Sequence, residues 1–158
     1  MIVDGHGIEV DAPQGWEVRI TRVEDDLGGA SGFPVMHAAS FALPEERGDY
    51  GSGAVELMGD DDVFVSLLEF GAEGVDSALF PAGEVPRKLD SGEFRSNGMQ
   101  RWISGQSAYQ RFFTAGGRAF CLYIVIGSHS DRVALARKAQ VLVQTIVVEP
   151  AGPPGEVP

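Results

Sequence analysis

A chain of 158 residues that is 44% hydrophobic and 22% charged holds enough apolar material for a core of its own and too much for a disordered segment. Its longest apolar run, residues 119–126, is far too short to cross a bilayer as a helix, so no membrane insertion is expected. The formal charge of −11 argues against a whole-molecule fit to nucleic acid or to an anionic lipid surface. The first residues, MIVDGHGIEV, carry neither a basic nor an apolar targeting stretch, and the expected location is cytoplasmic.

In chain order, residues 7–11 and 16–20 each alternate apolar and polar around the turn residues Ala12, Pro13, Gln14 and Gly15, the pattern of a hairpin with one apolar face. Trp16 reads as its core anchor. Residues 25–32 form an acidic, glycine-rich loop, and residues 33–41 a third strand with Val35, His37, Ala39 and Phe41 on one face. Four glycines between residues 45 and 62 disfavour a helix, which leaves a strand or a single turn at 54–58, with a short strand favoured. Residues 63–70 (VFVSLLEF) are apolar on both faces and belong near the middle of a sheet. Residues 71–98 lose the pattern and predict a long excursion with one helical turn near 75–80. Strands are expected at 99–104, 107–115 and 118–126, the last two joined by a tight turn at Gly116-Gly117. Ser128 and Asp131 are spaced as a capping box. They introduce a helix over 130–145, whose Leu135, Ala139, Leu142 and Ile146 share one stripe. Val147-Val148 adds an edge strand. The predicted fold is α+β: an antiparallel sheet of six or seven strands with that amphipathic helix on one face. Residues 1–149 form one domain, and 150–158 a flexible Pro/Gly-rich tail.

The charge is unevenly spread: residues 1–94 hold 20 acids and 5 bases, while residues 95–149 hold 7 bases and 2 acids. Either the two halves neutralise each other across one folded sheet, or Arg95, Arg101, Arg111, Arg118, Arg132, Arg137 and Lys138 line a basic groove.

Catalytic motifs are lacking. His6, His37 and His129 occur singly, the one cysteine, Cys121, sits inside an apolar strand, and there is no HExxH, GxGxxG or phosphate loop. Asp60-Asp61-Asp62 lacks the ligand spacing of a calcium loop and reads as a turn. No metal, cofactor or catalytic residue is therefore expected. His37 is a lone titratable group on an apolar face, and Glu69, inside an apolar strand, needs an arginine such as Arg111 or Arg118 beside it. The candidate binding residues are Arg101 and Trp102 with Tyr109 and Arg111, because arginine interleaved with aromatic rings suits a partly dry contact surface. Two-sided packing of a strand explains the same pattern.

The opening Gly7-Ile8-Glu9-Val10-Asp11-Ala12-Pro13-Gln14-Gly15-Trp16-Glu17-Val18, with the strong strand, amphipathic helix and short last strand at the other end, resembles the PsbP-like fold family. That resemblance implies an antiparallel sheet with helices on its faces and a non-catalytic role in binding or assembly. Lipoprotein members of that group carry an N-terminal cysteine that this sequence lacks. The expected function is a protein-binding module acting as adaptor, chaperone or assembly factor, its partner another protein or a second copy of itself. The alternatives are a ligand-binding or enzymatic pocket under the 71–98 excursion, using His37 or Glu69, and a subunit of a homo-oligomer.

Overall fold

The computed structural model describes residues 1–24 and 30–152. Most of the expected acidic loop at 25–32, and the tail from 153 onward, lie outside the described residues. Among the described residues the strands are β1 (Ile2–Gly5), β2 (Ile8–Asp11), β3 (Glu17–Glu24), β4 (Ala30–Ala39), β5 (Val63–Phe70), β6 (Ser107–Ala115), β7 (Arg118–Ile126) and β8 (Val147–Val148), with a single α-helix, α1 (Arg132–Val143), between the last two. The class is α+β with antiparallel pairing, as expected, but the strands form two sheets, ordered β1-β2-β8 and β3-β4-β5-β7-β6. No helix among the described residues is long and apolar enough to cross a membrane.

Apolar residues on both faces of β5 and β7 place these strands inside the larger sheet, and every residue of β7 is buried. On one side Phe120, Leu122, Ile124 and Ile126 meet Val65, Leu67, α1 and the small sheet, forming a first apolar layer. On the other, Cys121, Tyr123 and Val125 meet Phe64, Leu68, Ala54 and Val55 in a second. The β6–β7 hairpin closes through Gly116 and Gly117, at φ 59° and 77°, the left-handed pair that a two-residue turn between twisted strands requires. Helix α1 buries Leu135, Ala136, Ala139, Leu142 and Val143, matching the stripe read from spacing. Val147-Val148 pairs with β2.

Four local expectations are corrected. Residues 7–20 are not a hairpin: β2 pairs with β1 and β8, while β3 pairs with β4. The Pro13–Trp16 turn, closed by Trp16 N–H donating to Pro13 O at 3.1 Å, carries the chain from one sheet to the other. Residues 54–58 contain a 3-10 turn, Val55–Leu57. Residues 99–104 form no strand, and Met99 and Ile103 pack onto the second layer. The capping box is absent because a 3-10 turn at His129–Asp131 leads into α1: Asp131 N–H donates to the Ser128 carbonyl at 3.2 Å, and the Ser128 hydroxyl meets Ser130. The 71–98 excursion contains 3-10 turns at Ala72–Gly74, Ser91–Glu93 and Ser96–Gly98 and only hydrogen-bonded turns near 75–80. It folds down through Phe80, Val85, Leu89 and Phe94, all buried.

Candidate functional site

The four residues singled out from sequence do not share a surface. Tyr109 is 1% exposed, its ring 5.5 Å from that of Phe94 within the first layer. Burial pushes its hydroxyl up to about 12, and that hydroxyl has no hydrogen-bond partner among the described residues. Arg111 lies on the same face, its guanidinium 5.6 Å from the Tyr109 centroid and bonded to both Glu93 oxygens at 3.0 and 3.1 Å. Arg101 reaches Glu56 at 3.3 Å, beside Val55 of the second layer. Trp102, next to it, is 68% exposed. One pair therefore belongs to each side of the larger sheet.

The bases read as one groove do not all share a face, since Arg101 and Arg111 lie on opposite sides of the larger sheet. Arg101, Arg111 and Arg118 pair with Glu56, Glu93 and Glu69, while Arg132 and Lys138 donate to the carbonyls of His129 and Asp61. Glu69 has the arginine its position requires: Arg118 binds it through Nε at 3.1 Å and Nη2 at 2.6 Å. Cys121 is fully buried in the sheet, and burial pushes its thiol up to about 11, far from the thiolate a nucleophile needs. His37 is buried between Arg47, whose Nε–H donates to Nδ1 at 2.9 Å, and the Asp49 carbonyl, 2.9 Å from Nε2. Among the described residues it makes no hydrogen bond to a carboxylate. Among the described residues, no three His, Cys, Asp or Glu side chains gather closely enough to hold a metal ion.

The feature suited to holding a ligand is a groove of ≈ 560 Å³ between β1 and the start of β3, a volume in the range of small-molecule and peptide sites. Val3, Ala12, Trp16 and Val18 line it, with Gln14 at its rim beside an ion pair of Glu17 and Arg19 at 2.7 Å. Glu17 also accepts from Leu43 N–H at 3.1 Å, which fixes that wall. Val18 belongs to the first apolar layer, and Val3 and Trp16 pack against it only partly buried, so the groove is where that layer opens outward. Its two walls are strand edges: among the described residues β1 pairs only with β2, and β3 only with β4. In sequence the Pro-x-Gly-Trp turn marks this place, but it reads there as a core anchor, a reading the half-buried Trp16 corrects. A second depression, ≈ 340 Å³, lies where Gly83, Val85 and Arg87 of the 71–98 excursion meet Val147 and Val148. Neither His37 nor Glu69 lines it. Comparisons with protein-family models, with curated proteins and with solved structures return no match to the chain.

Proposed function

We propose that the protein is a non-catalytic binding module, a cytosolic adaptor, chaperone or assembly factor, that holds an extended apolar segment of another protein in the Trp16 groove. The observation that carries this reading is the opening of an apolar layer between two unpaired strand edges. An extended segment laid there gains main-chain hydrogen bonds from an edge and apolar contacts from Val3, Trp16 and Val18, the mode known as strand addition. Trp16 is the anchor, because a large ring in a pocket that excludes water supplies most of the affinity in such contacts. The charge of −11 favours a segment flanked by basic residues. The PsbP-like resemblance at both ends of the chain agrees with a role in binding or assembly.

The test is selection of random displayed peptides on the folded protein. The expected winners alternate apolar residues, carry basic flanks, and lose about thirtyfold in affinity on Trp16→Ala, equivalent to roughly 2 kcal/mol. Trp102→Ala should leave their binding unchanged. Failure to enrich any sequence, or peptides that ignore Trp16→Ala, would refute the assignment. Dependence on Trp102 instead would move the site to the Arg101-Trp102 surface.

A further inference from the structure

We infer that residues 43–53 are held over the second apolar layer by an acid-sensitive latch, closed while His37 is neutral and released when its imidazole takes up a proton. This device sits on the opposite face of the larger sheet from the Trp16 groove and does not depend on the function proposed for that groove.

The hydrogen bonds define the protonation state. Arg47 is a donor only, so the 2.9 Å contact from its Nε–H makes His37 Nδ1 the acceptor, and the remaining ring proton sits on Nε2, which donates to Asp49 O at 2.9 Å. The Ser66 hydroxyl donates to the same carbonyl at 2.7 Å. Arg47 further donates to the carbonyls of Pro44 and Glu45. One neutral imidazole thus ties the middle of the segment to β4, and the segment closes on itself through Gly48 N–H to Ser52 O and Gly51 N–H to Gly48 O, both at 2.9 Å. Tyr50, held on this segment, stacks edge-on against Tyr123 at 5.2 Å. A cavity of ≈ 220 Å³ lies beside it, lined by Val35, Asp49, Tyr50, Leu68 and Phe70.

A proton on Nδ1 sets two N–H donors face to face and two positive charges within contact distance, on a ring that is itself buried. The groups that face the ring decide how early this happens. On the segment itself, Arg47 opposes protonation, while the Asp49 carbonyl and carboxylate favour it. From β3, Arg19 stands opposite His37 in the register, its charge partnered by Glu17. From β5 come the uncharged Ser66, opposite His37, and the Phe64 ring at 5.1 Å. Burial is the largest influence, and together these hold His37 below its ordinary value of 6.5. The sign follows: an opened, hydrated His37 binds the proton better than the latched one, so opening becomes progressively more favourable as pH falls below 6.5. Release of Arg47 frees Asp49 and Tyr50 and uncovers Val35, Leu68 and Tyr123.

The experiment is amide hydrogen exchange of the full chain at about pH 7.5 and pH 5, expressed as protection factors corrected for intrinsic exchange, with imidazole nitrogen NMR on the same samples. Protection at Gly48, Gly51 and Ala54 is expected to fall about tenfold or more at the lower pH while β7 amides hold theirs, and His37 should appear as the Nε2–H tautomer at the higher pH. In His37→Asn, which offers Arg47 an acceptor without a titrating ring, the pH-dependent fall should vanish. In Arg47→Met, protection of the segment should be low at both pH values and the His37 titration should move upward. An unchanged segment in the wild-type protein, or a wild-type pH dependence retained in either variant, would overturn the latch.

Discussion

Arg118 offers the sharpest check on how the two sheets are joined. Its side chain is 10% exposed and that of Glu69 13%. All five guanidinium N–H donors are used: Nε and Nη2 on Glu69, Nη2 also on His6 O, and Nη1 on Gly7 O and Glu149 O. His6 and Gly7 form the β1–β2 turn and Glu149 follows β8 beside it, so one residue of the large sheet ties together the turn and the last strand of the small one. Arg118→Met keeps an apolar stem over Phe120, whose centroid lies 5.0 Å from the guanidinium, and strands Glu69 as a buried, unpartnered charge. Breaking such a pair from one side costs about 3–5 kcal/mol. The value here belongs at the low end, because the released carbonyls of His6, Gly7 and Glu149 lie at the margin and regain water. For a chain of this size about 3 kcal/mol lowers Tm by roughly 6–12 °C. Urea unfolding with thermal melts measures the loss, and hydrogen exchange should locate it first in β1, β2 and β8. Arg118→Met with Glu69→Leu should recover most of the stability, since the buried charge is then gone. A single variant within about 1 kcal/mol of wild type would refute the claim that this guanidinium secures the small sheet.

Other expectations follow from individual side chains. Tyr109→Phe removes a buried hydroxyl that has no partner, so stability should hold or rise by up to about 1 kcal/mol; a clear loss in urea melts would reveal a bond to that oxygen. Cys121, with its thiol pushed up to about 11, should resist a disulfide reagent at neutral pH in the folded protein and react fully once unfolded. Rapid labelling of the native state would show that the β6–β7 region opens. Gly127→Ala would drive a methyl into the Gly59 carbonyl oxygen, where the chain is pinned by Gly127 N–H donating to Asp62 O at 2.9 Å. A loss of about 3 kcal/mol or more, or failure to fold, is expected on thermal melting, and a wild-type melt would contradict the close approach.

The elements legible in the sequence are those whose evidence is local. Apolar residues on both faces of 63–70 and 118–126 mark strands covered on both sides, Gly116-Gly117 can serve a two-residue hairpin, and the spacing of Leu135, Ala139, Leu142 and Ile146 needs only one helix to explain it. Partner choice is different. Ile8 and Val10 alternate equally well beside Trp16-Val18-Ile20 or beside another strand. What settles the matter is Val147-Val148, far along the chain, pairing with Ile8 and Glu9, and Arg118 bonding the β1–β2 turn. Nothing within residues 1–20 carries that information, so the split into two sheets was hidden. Residues 99–104 fail for a related reason: Met99 and Ile103 are apolar because they cover a sheet, not because they belong to one.

The charge asymmetry shows how a sequence feature that looks functional dissolves on folding. Arg101, Arg111 and Arg118 come from the basic stretch, and their partners Glu56, Glu93 and Glu69 all come from the acidic one. For Glu69 and Glu93 the antiparallel order β5-β7-β6 accounts for this, because it lays the later strands against β5 and the excursion that follows it. Two of these pairs are largely exposed and add little stability; the Arg118 pair is enclosed and serves to hold the sheets in register. Three of the seven bases of that segment are thereby paired with carboxylates inside the molecule. The recognition proposed above is instead apolar, through Trp16 in its groove between the edges of β1 and β3. Its signal in the sequence is a turn and a tryptophan, and only the separation of β2 from β3 into different sheets makes that pair of residues the wall of a groove.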